Sequence, residues 1–210
     1  MRSKTPRRVG SGCAPPGRQL RCSPELAAEA IPSLSGIVRS YRRFNEQGAN
    51  EEREYFEGIK DLKDAIRHAG LAVDGRDKRY GHQCWIPGDV LIEVEEALQR
   101  SRKEIKACTT FHELWSLITD VTDGIHGAGE LIAYDATLRL GAHLNLLPAH
   151  VYLHAGTREG AANLGLAVNR PYVDVGEFPR ELQALEPEQI EDVLCIYKTH
   201  LKKWKDAHPG

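Results

Sequence analysis

The chain has 210 residues, 41% apolar and 28% charged, which is globular composition with enough apolar content for one sizeable core and excludes a fibrous or wholly disordered protein. The formal net charge of −2 hides an uneven distribution. Residues 1–24 carry six basic side chains and no acid, so residues 25–210 hold 22 basic against 30 acidic residues, a net −8, which argues against broad non-specific gripping of a polyanion.

Residues 1–24 are rich in Arg, Pro, Gly and Ser, and are expected to form a disordered basic tail. Its prolines and missing amphipathic stripe disfavour a transit peptide. No run approaches the ~18 apolar residues of a membrane span, so a soluble, cytoplasmic protein is expected. Five dispersed cysteines (Cys13, Cys22, Cys84, Cys108, Cys195) without a C-x-x-C pair read as reduced thiols.

From Ser23 the apolar spacing is helical. Ser23-Pro24-Glu25 is a helix start, and a short helix after Ser33 carries Ile37, Val38 and Tyr41. Phe56, Ile59, Leu62, Ile66 and Ala69 predict one helix closed by Gly70. Residues 74–86 break the pattern as a loop, and Pro87 restarts a helix bearing Val90, Leu91, Val94 and Leu98. A loop of this length is a candidate functional segment.

Thr110-x-x-Glu113 is a capping box for a helix carrying Leu114, Leu117 and Ile118, which runs into Gly127-Ala128-Gly129. A long helix from Gly129 to Leu144 follows, then Thr157 as the cap of a short helix ended by Gly165. Val173 and Val175 read as extended, and a final helix from Glu186-Pro187-Glu188 reaches Leu201. The expected class is mainly α, with residues 25–210 as a single helical domain behind the tail.

Gly127 and Gly129 straddle one small residue and open a helix whose first turn carries Ala133. Glycines at that spacing let a phosphate approach main-chain amides that the helix start leaves unpaired. The same glycines also suit a plain turn between two antiparallel helices. On Gly127-Ala128-Gly129, Ala133 and Ala136 the chain resembles the helix-hairpin-helix DNA-binding families over about 30 residues, and the resemblance implies that the amides near Gly127 and Gly129 hold a DNA backbone phosphate, with Glu130 at that nucleic-acid contact in a position where a basic residue is common.

The helical character, the length and the stretch Pro148–His154 are similar in part to the base-excision DNA glycosylases of that superfamily. Tyr152 stands where the resemblance calls for the catalytic aspartate, and the hairpin helix has no lysine nucleophile. If glycosylase chemistry exists, Asp135 or Glu130 must supply the carboxylate, with His154 beside it.

Arg79, His82, Gln83 and Trp85 place a cation, hydrogen-bonding groups and an aromatic in the 79–87 loop, suited to stacking on a base and reaching its edge. His154, Thr157 and Arg158 next to Gly156 could converge on a phosphate or sugar hydroxyl, or simply start a helix. Asp135 and Arg139, four apart, are expected to pair on the helix surface. The nine histidines show no metal-ligand spacing, so neither metal nor cofactor is expected.

The leading expectation is a DNA-binding protein, with chemistry on DNA left open. The alternatives are a helical interaction or regulatory module whose basic tail binds an acidic protein partner, and an enzyme acting on a small phosphorylated ligand through His154, Thr157 and Arg158.

Overall fold

The computed structural model describes residues 33–208, which are mainly helical. The predicted tail and the helix start at Ser23 lie outside the described residues. In chain order the helices are α1 (Leu34–Phe44), α2 (Glu46–Glu57), α3 (Leu62–Leu71), α4 (Gly88–Arg100), α5 (Arg102–Ala107), α6 (Phe111–Asp123), α7 (Glu130–Leu144), α8 (Ala155–Asn163), α9 (Pro187–Ile196) and α10 (Lys198–Ala207). Strands β1 (Val151–Tyr152) and β2 (Tyr172–Val173) form an antiparallel pair in the register Val151↔Val173 and Tyr152↔Tyr172.

Local signals in the sequence start several of these helices. Ser33 caps α1 by accepting from the Gly36 amide, and Thr110 and Glu113 form the reciprocal capping box of α6. Two expected continuous helices are instead broken. The Phe56–Ala69 stripe splits at residues 58–61, where Asp61 accepts from the Lys63 amide and restarts the chain as α3. Gly70 lies inside α3 rather than after it: a Cβ there would sit 2.6 Å from Glu95 Cα, so the glycine lets α4 pack close, and Ala72 takes the left-handed terminal conformation at φ 54°. The last stripe breaks at Tyr197, which separates α9 from α10. Val175 falls in a short 3-10 turn, whereas Val173 is in β2.

Two apolar cores result. Phe56 with the inner faces of α3 to α7 builds the first, including Ile66, Leu91, Leu98, Leu114, Ile118 and Leu140. The second gathers α1, β1, β2 and α8 to α10 around Ile37, Tyr41, Leu194 and Tyr197. From Ser33 the described residues start in the second core, cross along α2 to build the first, and return after Pro148. Phe111, Tyr134 and Tyr152 bridge them. Helix α7 packs on α2, α3 and α6, and its Tyr134 ring lies 5.7 Å from the His154 ring at the edge of the second core.

Candidate active site at the seam between the two cores

Acids placed on apolar helix faces meet basic groups at this seam. On α7, Asp135 and Arg139 do not pair with one another as the spacing suggested. His82, in the 3-10 turn Gly81–Gln83, puts Nε2 2.8 Å from Asp135 Oδ2, while Arg139 Nε donates to Glu52 Oε1 of α2 at 2.7 Å. Neither member is a surface group: Arg139 is 3% exposed and lies with its guanidinium 4.2 Å from the centre of the Tyr80 ring. A helix side chain at the seam can choose partners across the fold, and the 79–87 loop and α2 each bring one.

Burial disfavours the charged form of Asp135, but His82, Arg139 and His154 overcome it and hold its pKa below the usual carboxylate range. For His82, burial opposes protonation, and the charge and hydrogen bond of Asp135 outweigh it and raise the pKa. The His82 side chain still keeps 42% of its accessible surface.

Deeper in the seam, His154 Nε2 lies 2.5 Å from Glu191 Oε1, and both residues are buried. His154 is the N-cap residue of α8; Thr157 fixes it by accepting from the His154 amide at 2.7 Å and donating to its carbonyl at 2.9 Å. Burial works against a charged His154, but the Glu191 bond and charge, with Asp135 and Glu130, raise its pKa. One turn along α9, Cys195 Sγ joins this pair, so that one donor atom from each of the three residues lies within 4.8 Å of the others. Burial, then the Glu191 and Asp192 charges, push the Cys195 thiol up to about 12. Asp192 accepts from the Tyr41 hydroxyl at 2.9 Å, and burial with the Glu191 charge raises its carboxyl well above the ordinary value.

Two local contacts link some of the remaining candidate residues. Gly127 takes φ +92°, and a Cβ on it would lie 3.2 Å from Val90 Cγ2, which puts the 124–129 turn against the start of α4, next to the 79–87 loop. Gly129 caps α7 without a side chain, and a Cβ there would meet nothing within 4 Å. Glu130 is paired with Arg158 at 3.1 Å, which joins the first turns of α7 and α8. Trp85 is 90% exposed. Arg79 donates to the Ile86 carbonyl and shapes its loop, and Gln83 is buried with Oε1 lacking a partner.

Thr157 and Arg158 are more committed than the sequence suggests. The Thr157 hydroxyl is fully buried and spends both its roles on the His154 backbone. Arg158 also donates to the Val168 and Arg170 carbonyls, both at 3.1 Å.

Sequence reasoning missed Glu52, Glu191, Asp192 and Cys195. A signal was present: Glu52 precedes Phe56 by one helical turn and Glu191 precedes Leu194 by three residues, so both acids sit beside apolar stripe positions where a solvated carboxylate is out of place.

No helix among the described residues is long and apolar enough to cross a membrane. Comparison of the chain with protein-family models, with curated proteins and with solved structures finds no match.

Proposed function

We propose that this protein binds DNA through a helix-hairpin-helix made of α6, the 124–129 turn and α7, and that the His82–Asp135 pair faces the bound strand. The observation that carries the reading is the 2.8 Å His82–Asp135 contact, which ties the loop bearing exposed Trp85 to the second helix of the hairpin. The phosphate-binding elements and the base-probing loop would then lie side by side, with Gly127 packed against Val90.

Gly129 gives α7 no capping side chain, so leading amides of the helix are available to a phosphate. Glu130 would repel that phosphate, and its pairing with Arg158 offsets the repulsion. The charged His82–Asp135 pair supplies a proton donor and a carboxylate side by side, the two groups that base excision needs for the departing base and the sugar cation. Excision is thus the chemistry to screen for once binding is established.

Gly129→Val tests the reading in the full chain. The position is extended, at φ −85° and ψ 176°, with open space around a Cβ, so the variant folds normally while its side chain blocks the approach to the amides. Wild-type protein should shift short duplex or single-stranded DNA in a gel, with affinity falling steeply from low to high salt, and Gly129→Val should lose that shift. Equal binding by a folded Gly129→Val variant would assign DNA contact to the basic residues 1–24, and no binding by either would leave the hairpin as a turn.

A further inference from the structure

We propose that His154, Glu191 and Cys195 form a binding site for a divalent cation of the zinc type, with three protein donors and one coordination position left for water or a substrate atom. The proposal stands independently of DNA binding, since none of the three residues belongs to the hairpin or the 79–87 loop.

The fold brings these donors together by several independent devices. Glu191 and Cys195 are four apart on α9, so their side chains rise from the same face one turn apart. His154 reaches that face from the start of α8, held there by the two Thr157 bonds. Two glycines let α8 press against α9. A Cβ on Gly160 would lie 2.3 Å from the Leu194 carbonyl oxygen, and a Cβ on Gly156 would lie 3.0 Å from Cys195 Sγ and 3.4 Å from His154 Cε1. Alanine at either position would force the histidine and thiol apart.

The donor set has the chemistry of a borderline cation: imidazole nitrogen, carboxylate oxygen and thiolate sulfur are the three zinc ligand types, and three protein ligands with one open position is the arrangement of reactive zinc rather than of a closed structural site. Donor atoms already within 4.8 Å of one another lie close to the ~3.3–3.7 Å separations that tetrahedral zinc bond lengths imply. His154 Nε2 and Glu191 Oε1, now 2.5 Å apart around a shared proton, must separate by about 1 Å as the cation takes the proton's place, and the Cys195 side chain adjusts to complete the tetrahedral separations. Binding releases that proton and the Cys195 thiol proton to solvent. Asp135 adds negative charge near the site that favours a divalent ion; the cationic groups facing it are His82 and Lys198.

Titration of the full-length, metal-stripped protein with cobalt(II), then displacement by zinc(II), tests the site, because four-coordinate cobalt bound to thiolate shows intense d–d absorption and a sulfur-to-metal charge-transfer band. The background carries serine at Cys13, Cys22, Cys84 and Cys108, so that Cys195 is the sole thiol. One equivalent of cobalt should give both signals, Cys195→Ser should abolish the charge-transfer band, and Glu191→Gln, which keeps the thiol, should weaken binding at least tenfold. Absence of the band in the Cys195-only protein, its persistence in Cys195→Ser, or unchanged cobalt affinity in Glu191→Gln would each overturn the proposal. Should Cys195→Ser fail to fold by circular dichroism, the Glu191→Gln affinity decides.

Discussion

His82 Nε2 and Asp135 Oδ2 lie 2.8 Å apart across 53 positions of sequence, and their contact clasps the 79–87 loop to the middle of α7. Each raises the charged population of the other. For His82 the folded pKa is raised, so its contribution to stability is fully present below the unfolded value of about 6.5 and is lost as pH rises through the folded value. For Asp135 the folded pKa is lowered, so its contribution is present above about pH 4 and is lost as pH falls through the folded value. The stability gap between wild type and His82→Gln should therefore plateau between about pH 4 and 6.5 and shrink on either side. With His82 42% exposed, screening keeps the gap below about 1 kcal/mol. Urea midpoints at four or five pH values measure it, and a gap that grows above pH 7 contradicts the assigned pairing.

Arg139 makes the opposite kind of contact. It is 3% exposed, its Nε is bound to Glu52, its ring partner is Tyr80, and Nη1 is buried without a partner. Arg139→Ala strands Glu52 and removes the stacked plane, at an expected cost of about 3–5 kcal/mol. Arg139→Lys should recover less than half of that, because an ammonium cannot lie flat on Tyr80 while it reaches Glu52. Chemical denaturation of the two variants separates charge from shape; full rescue by lysine would mean that charge alone matters.

The two kinds of glycine make a further contrast. Gly160 holds α8 against the α9 backbone, and an added Cβ would fall 2.3 Å from the Leu194 oxygen, so Gly160→Ala should cost about 2–3 kcal/mol by forcing the helices apart. Gly129→Ala meets open space and should change stability by less than about 0.5 kcal/mol. Thermal melts of the pair check this. A stable Gly160→Ala would show that α8 can slide without loss, and would weaken the argument for preformed cation ligands at its start.

These contrasts also show what a single sequence can reveal. Helix starts were legible because caps are local: Ser33, Thr110 with Glu113, and Pro187 act within three or four residues. Helix ends were less so, since the break at residues 58–61 and that at Tyr197 interrupt apolar stripes that continue in register across them. The site was half legible. His82, Asp135 and His154 stood out by residue type, but their partners could not be chosen from spacing. Asp135 and Arg139 look like a surface pair at four apart, and only the packing of α2 and the 79–87 loop onto α7 redirects them to Glu52 and His82. Cys195 was hidden because its neighbours in the site, Glu191 and His154, come together only when α8 docks on α9.

Trp85 offers the sharpest separation of folding from binding. At 90% exposure its indole contributes almost nothing to either core, so Trp85→Ala should leave the unfolding free energy from urea titration within about 0.5 kcal/mol of wild type. If the 79–87 loop probes nucleic acid, the same change removes a stacking platform worth about 1–3 kcal/mol per base, a roughly 5- to 160-fold loss of single-stranded DNA affinity. The salt slope should stay unchanged, because stacking releases no counterions. Under the proposed reading Gly129→Val should instead lose binding at every salt concentration. Fluorescence titrations with a short labelled oligonucleotide at three salt concentrations resolve the two effects. Wild-type affinity in Trp85→Ala would place the bases away from this loop and leave the indole as an exposed side chain with no part in binding.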